Sequence, residues 1–379
     1  MQTTMGSLRV GGISRPELTD VKKTGPSITN VEHLSSYNWI ESSNPTIAVP
    51  GCPPLWSPPS TPKRVAKDSG LIYIAQNAFR HPESPLEPLF RSLYTENPSY
   101  NIHQVDLITD RNNVRKLLSF INPNLSRNGL EPFTIEVEVT GNTATFCRAE
   151  SKTHEFIGPH DFRGYGHEFE KAFTTTQVPG STGHHRIISY NLGDMKFIVR
   201  YETDAYVEDH SHLPPQRTHS RLATNSKLVV QKKGKQVPIK TTLEIKTRVS
   251  HKPLNIQDLL PQLWVSQTPN LVCAYHNYGT FRPAEVKDVT RDIAELVVLV
   301  KEVIRVVREN GGNAVIKYDG QSDKLAVLKK KGSRMLPDDL YLKFGDETGP
   351  TQAIESNSRK TSLKIGDSFH NVDILAIPS

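Results

Sequence analysis

Two stretches decide the fold: KFIVRYETDAYV, residues 196–207, and TTLEIKTRV, residues 241–249. The first alternates apolar and polar residues behind a Gly193-Asp194 turn, which predicts one long strand over 196–207. Glu202 and Asp204 are two residues apart, so on that strand they project from one face. In the second stretch Glu244 and Lys246 share a face, and Leu243, Ile245 and Thr247 share the other. If the two strands are neighbours, three carboxylates and one ammonium come together. Carboxylates that close repel one another, and such a cluster is stable only with a cation between them. An all-oxygen donor set favours Mg²⁺ or Mn²⁺ over zinc. The lysine beside it can orient or help deprotonate a water, or stabilise charge on a phosphate. The competing reading is a solvated strand face, because short acidic-basic alternation also occurs there.

Outward from these strands, FTIEVEV (133–139) alternates Phe133, Ile135, Val137 and Val139 with polar residues, and ATFCRAE (144–150) reads as its hairpin partner across Gly141-Asn142. LVCAYH (271–276), AVIKY (314–318) and LAVLKK (325–330) read as further strands. Ser84-Pro85-Leu86-Glu87 has the form of a capping box opening a helix with Leu86, Leu89, Phe90 and Leu93 on one face. Asp110 is placed to cap RNNVRKLLSFI (111–121), which ends before Pro123. NIQDLLPQLWVS (255–266) predicts a helix kinked or starting late at Pro261. The strongest helix is 292–309, with Leu296, Val300, Val303, Ile304 and Val307 on one stripe and Gly311-Gly312 to end it. Strands and helices mix without regular alternation, so the expected class is α+β, with central mixed β-sheets flanked by helices.

Composition narrows the function. The 379 residues are 36% hydrophobic, enough for a substantial core. There are 46 Lys+Arg against 40 Asp+Glu, a net charge of +6 that permits a polyanionic partner without requiring one. Cys52, Cys147 and Cys273 are far apart and form no CxxC pair, against a disulfide scaffold or a zinc knuckle. His184-His185 and His210/His212 lack zinc-site spacing and read as polar loop histidines. Asp338-Asp339 lacks the repeated helical DDxxD pattern of a prenyl-diphosphate synthase. No run approaches 18 apolar residues, so no membrane span is expected, and the first residues have no apolar secretory core. A reduced intracellular compartment, nucleus or cytoplasm, is the expectation.

The E-x-D strand followed by an E-x-K strand resembles the core of PD-(D/E)XK-type nucleases. In chain order with it stand ITDRNNVRKLL (108–118), GYGHEFEKAF (164–173) and LPQLWVSQTPNLVCAYHNYG (260–279). Together these segments resemble the DXO family of RNA 5′-end decapping exoribonucleases, from about residue 35 to 345. That resemblance implies a hydrolase using divalent Mg²⁺ or Mn²⁺, in two ions, held by Glu170, Asp204, Glu244 and Glu202. It implies catalytic roles for these four and for Lys246 and Gln262, with Gln267 a rival for the glutamine. Arg111 takes the position of a phosphate-gripping arginine. Glu168 competes with Glu170; on a helix residues 167 and 170 are neighbours and 168 faces elsewhere, which favours Glu170. AYHNYG lacks an arginine that the family carries there. The implied substrate is an RNA 5′ end bearing a cap, an NAD-type cap or a triphosphate, with 5′-3′ degradation in some members. A 5′-3′ exoribonuclease partner and a monomeric state are expected with it. An inactive RNA-binding relative and a DNA-directed nuclease are the alternatives.

The expected organisation is a disordered leader over 1–30, one catalytic domain over 31–350 and a peripheral segment over 351–379. A basic insertion loop, 208–240, carries Lys232, Lys233 and Lys235, which track an RNA backbone or form solvated surface. The same two readings apply to Lys329, Lys330 and Lys331. Residues 45–62, with seven prolines, read as an extended surface strap with Leu55 and Trp56 tucked inward, or as a polyproline ligand. Tyr165 and Trp264 could stack on a base, though core packing is the stronger reading for Trp264.

Overall fold

The computed structural model describes residues 8–18, 28–123, 131–158, 160–161, 164–208, 221–222, 226–252, 254, 259–276, 290–319, 323–330 and 334–344. The chain divides into two units, 1–346 and 347–379, and the second, which contains the whole expected C-terminal segment 351–379, lies outside the described residues.

Twelve strands form one mixed sheet. In spatial order they are β1 (Arg9–Ser14), β19 (Lys324–Lys329), β18 (Asn313–Tyr318), β7 (Phe133–Thr140), β8 (Thr143–Ala149), β6 (Leu107–Asp110), β12 (Met195–Glu202), β11 (Ser181–Leu192), β2 (Ile28–Ile40), β3 (Thr46–Gly51), β15 (Val229–Gly234) and β14 (Arg221–Leu222). A second sheet runs β10 (Thr174–Thr175), β4 (Leu55–Trp56), β13 (Ala205–Tyr206), β16 (Thr242–Val249) and β17 (Asn270–His276). β5 (Gly70–Tyr73) pairs with β9 (His154–Ile157). The helices are α1 (Gln76–Arg80), α2 (Glu87–Glu96), α3 (Arg111–Ile121), α4 (Gly166–Phe173), α5 (Leu260–Ser266), α6 (Thr290–Glu309) and α7 (Asp338–Tyr341). The α+β class is as the sequence predicts.

The period-2 pattern of β12 shows how the sheet is filled on both sides. Phe197, Val199 and Tyr201 join one core with Val114 and Leu117 of α3 and Val300, Val303 and Val307 of α6. Ile198 joins the other, with Leu89, Phe90 and Leu93 of α2 and Leu340 of α7. Burying a strand on both faces takes it beyond simple alternation. That is why β2 and β11 escape the sequence reading. They carry Ser35, Ser36, Asn38, His184, His185, Arg186 and Ser189, all buried. The interior accepts several of them through hydrogen bonds: Asn38 to the Cys52 backbone, His184 to Asn38, Arg186 to the Val237 carbonyl. His184 and His185 are therefore strand residues, not loop residues; His210 and His212 lie outside the described residues.

Several local expectations change. Residues 9–14, placed in a disordered leader, form β1 on the sheet edge, with Ile13 buried against α6's core. The proline-rich stretch is not a surface strap throughout: Thr46–Gly51 is a fully buried strand between β2 and β15. Trp56 does tuck inward, stacking at 6.3 Å on Phe173. The basic insertion is not all loop, because its residues 229–234 are β15, parallel to β3. The close approach there depends on Gly234, whose φ is +105° and whose added Cβ would lie 2.2 Å from the Gly51 carbonyl oxygen. The capping box at Ser84 does not form; Ser84 Oγ donates to the Met335 carbonyl, and buried Glu87 accepts from Arg91 and pairs with His81. Asp110 stands at the start of α3 without capping it, because its carboxylate takes Arg200 instead.

Candidate active site

The chain leaves the large sheet at Glu202, the last residue of β12, and enters the second sheet at Ala205, the first of β13. The single strand expected over 196–207 is thus two strands in two sheets, and the E-x-D pair straddles the seam. Thr203 N–H donates to the His184 carbonyl at 2.9 Å, still tied to the large sheet. Ala205 lies opposite Leu243 of β16, which sets Asp204 beside Glu244 and Ile245. The Ile245 N–H donates to Asp204 Oδ2 at 2.8 Å.

Glu244 is buried, with a 2% exposed side chain, and three groups converge on it. Arg111 Nη1 from the first turn of α3 donates to Oε2 at 3.0 Å, while Lys246 Nζ and Gln262 Nε2 both donate to Oε1. Lys246 Nζ is also 3.9 Å from Asp204 Oδ2. Gln262 is placed by α5, whose first turn holds Pro261; α5 packs on α3. Gln267 is the left-handed cap of that helix and turns back onto the Trp264 carbonyl at 2.5 Å, so Gln262 is the glutamine that reaches the carboxylates. Trp264 packs against the core, as expected.

Glu170 comes from α4. Phe169 and Phe173 anchor that helix on Ala205, Leu243 and Ile245, the chain neighbours of Asp204 and Glu244. Its first turn is held from a distance: Asp68, 5% exposed, accepts from the Glu168 N–H at 3.0 Å, whereas the Tyr165 side chain at the cap position does not cap the helix. Glu168 itself pairs with Lys171 at 2.7 Å. Tyr165 stacks edge-on against His276 at the end of β17, 4.7 Å between centroids.

Charge follows geometry. Burial, then the charge of Asp204, drives Glu170 well above the carboxylate range. Burial, then Glu244, pushes Asp204 up to about 7. Burial would raise Glu244 too, but Arg111 and Lys246 outweigh it and hold that carboxyl below its usual value. Lys246 is disfavoured by burial, yet Asp204 and Glu244 outweigh this and raise it, so it stays a cation. Glu202 is exposed in area but ringed by cleft walls, whose desolvation raises it, with Arg111 opposing.

These residues therefore converge, with Glu202 opening into an adjoining cleft beside Arg111. Lys232 and Lys233 do not join them: they lie on β15, neither lines that cleft, and Lys232 acts on Glu96 of α2. Residues 277–279 of AYHNYG and Lys331 lie outside the described residues. Sequence reading passed over Asp68, a lone acidic residue 100 positions from its partner with no pattern around it. It also passed over Arg115, although four-residue spacing from Arg111 on a helix was available as a signal.

No three His, Cys, Asp or Glu among the described residues stand together as a ready-made metal site. The donor chemistry nevertheless fits a hard divalent cation. All donors are oxygens, and Glu170 is raised partly by the charge of Asp204, as Asp204 is by that of Glu244. Glu244 is already answered by Arg111 and Lys246, whereas the carboxylates of Glu170 and Glu202 and Asp204 Oδ1 accept no hydrogen bond from a described residue.

No curated protein matches this chain in sequence. Among solved structures, Rai1 of S. pombe superposes with a TM-score of 0.53 at 13% identity, covering 85% of this chain and 99% of its own. Scheffersomyces stipitis Rai1 in complex with (3′-NADP)⁺ and calcium ion gives 0.54 at 12%, covering 86% and 93%. Candida albicans Rai1 in complex with pU5-Mn²⁺ gives 0.53 at 12%, covering 90% and 98%. The DXO-type fold expected from the motifs is thus present over nearly the whole described chain. A family profile spans residues 12–344, from β1 to the end of the described fold, and by that match the chain belongs to the family described as a domain of unknown function, DUF8563.

Proposed function

We propose that this protein is a divalent-metal-dependent hydrolase of RNA 5′ ends, cleaving a phosphoanhydride or phosphodiester bond. One observation carries the reading: at the seam of two sheets, Asp204 and Glu244 flank Lys246 beside Gln262 and Arg111, with Glu170 near enough to be raised by their charge, in a fold shared with Rai1. The Rai1 structures solved with pU5-Mn²⁺ and with (3′-NADP)⁺ and calcium support the choice of nucleotide substrate and cation. Glu170, Asp204, Glu244 and Glu202 would hold the cation, Mg²⁺ or Mn²⁺. When bound, it supplies Lewis acidity toward phosphoryl oxygen and lowers the pKa of water.

The chain's own groups do the rest. Asp204, pushed up to about 7 by burial and Glu244, would be held ionised as a ligand once a cation answers that repulsion. Lys246 is held charged, so its role is to stabilise negative charge developing on the phosphate rather than to take a proton. Arg111 presents a fixed planar guanidinium and is braced over the Tyr201 ring at 5.6 Å, which suits it to gripping a second phosphate oxygen. Gln262 donates to Glu244 and fixes the orientation of that carboxylate.

The test is incubation of the purified protein with 5′-triphosphate, NAD-capped and 5′-monophosphate RNA, and with DNA, in Mn²⁺. Release of product from RNA ends is expected. Glu244→Ala should lower turnover at least about a hundredfold, the scale of losing one transition-state contact, while leaving the circular dichroism spectrum unchanged. Full activity in that variant would place the chemistry elsewhere. The second reading, an RNA-binding relative without turnover, draws on the contacts that already occupy Glu244. It predicts RNA binding with no product in the same assay.

A further inference from the structure

The cleft beside the carboxylates has a wall of unusual charge. It is lined by Arg111, Arg115 and Arg148, with Glu202 at the carboxylate side and the Asp110–Arg200 pair beneath. Its empty space, counting the open mouth, is about 690 Å³. Arg111 and Arg115 are four residues apart on α3 and so stack on one helix face, where like charges destabilise each other. Arg148 reaches the same cleft from β8, against which α3 packs.

The available counter-charges fall short: Glu202 is the one carboxylate of the lining not bonded to a described cation, and its charge acts on Arg111 and Arg148. Asp110 is taken by Arg200, and Glu244 by Arg111 and Lys246. Glu150 accepts from both Arg148 Nε, at 2.7 Å, and Lys116 Nζ, at 2.6 Å. Arg115 makes no side-chain hydrogen bond or ion pair with any described residue. Burial, followed by the charges of Arg111 and Arg148, pushes its guanidinium below its ordinary value. A half-buried cation bonded to no described side chain and lying among two more cations costs stability unless a multivalent anion enters.

We propose that Arg115 and Arg148, together with Arg111, form a phosphate-binding subsite that holds a phosphate of the substrate other than the one attacked. This rests on the hydrolase reading, and it deepens it by requiring a substrate with at least two phosphates in reach of the site. Arg111 links the two halves: its Nη1 donates to Glu244 of the carboxylate cluster, and the side chain lines the arginine cleft. Planar guanidinium forks suit phosphate oxygens and bind them in pairs. The second phosphate is either the next one along a 5′ polyphosphate or the first phosphodiester of the RNA body. The chemistry recognised is the same.

Binding is tested first without chemistry. Inorganic pyrophosphate is titrated calorimetrically into the metal-free full chain at low salt. The wild type should bind. Arg115→Gln and Arg148→Gln should each weaken binding about tenfold or more, the scale of one charge-assisted pair. Lys171→Gln, on the exposed Lys171–Glu168 pair, should leave it unchanged. Arg115→Lys and Arg148→Lys keep the charge and should bind in between, which keeps the test intact if a glutamine variant fails to fold. Absence of wild-type binding, or equal binding in both glutamine variants, overturns the subsite.

Steady-state kinetics in Mn²⁺ then separates the two phosphate sources. In Arg115→Gln the KM should rise with little change in kcat. A rise confined to 5′-triphosphate RNA identifies the polyphosphate, and a rise for 5′-monophosphate RNA identifies the RNA body. An unchanged KM for both overturns the proposal. If pyrophosphate binding depends on the arginines but no RNA end is turned over, the hydrolase reading fails and the subsite stands.

Discussion

Arg200 sits in the middle of the large sheet with its side chain 1% exposed, opposite Asp110 in the register of β12 with β6. Burial works against its charge, but Asp110 outweighs this and raises the guanidinium above its usual value. The pair is bidentate, 2.6 and 3.0 Å, and Arg200 also donates to the Pro85 carbonyl at 2.8 Å. Removing one partner leaves a buried charge unanswered. Asp110→Ala should therefore cost about 3–5 kcal/mol of stability, read by urea unfolding. The histidines of the same region impose a pH dependence. Burial, then Arg186, lowers His33 to about 3, and burial lowers His184 and His185 well below the ordinary value. In the unfolded chain all three protonate near 6.5, so below that pH the unfolded state binds more protons. Their contribution to stability is whole above about pH 6.5 and is lost as pH falls toward 3, by up to about 1.4 kcal/mol per pH unit for each histidine. Unfolding midpoints in denaturant between pH 8 and 4.5 should fall accordingly, and a midpoint indifferent to pH would show that these imidazoles are not held neutral.

At the scale of elements, α4 is the piece on which the site depends most and which is least secured by its own sequence. It has eight residues and lacks a local cap, and Asp68 supplies the missing acceptor from a loop far away in the chain. Asp68→Ala should cost about 1 kcal/mol, the usual worth of a capping side chain. Because α4 carries Glu170, the same variant should lower kcat more than it raises KM, with Asp68→Asn recovering much of the loss. Equal kcat in Asp68→Ala would mean that α4 is held by Phe169 and Phe173 alone. On the large sheet, α6 packs beside α3 in one core through Val300, Val303 and Val307. Val303 is fully buried in that core, so Val303→Ala should destabilise by about 1–3 kcal/mol without moving the site, which α6 does not line.

For the whole molecule, two sheets meet where the chain passes from β12 to β13, and the carboxylates collect at that junction. Pooling them opposes folding. Asp204 has a folded value near 7 and an unfolded one near 4, so its penalty is fully present above pH 7 and is relieved as pH falls toward 4. Asp204→Asn keeps the oxygen that accepts from Ile245 and removes the repelled charge. At pH 8 the metal-free variant should melt at a higher temperature than the wild type while losing hydrolysis. A lower melting temperature would mean that the cluster is not under repulsion.

How much of this was legible in advance follows the physics of each signal. Helix α3 was readable to its end residues because its apolar stripe, length and stop are local. The E-x-D and E-x-K pairs were readable for the same reason: residue type and spacing are written along the chain. What the sequence left undecided was non-local. It did not show that Thr203 and Asp204 cross between sheets, that Asp68 caps α4, that Gln262 rather than Gln267 reaches Glu244, or that polar β2 and β11 are buried. Each depends on a partner brought near only by folding, and a buried polar residue looks like a surface one until that partner is in place. The amino-acid order determined which charged groups the site would contain; the packing of one sheet against the next decided which of them meet.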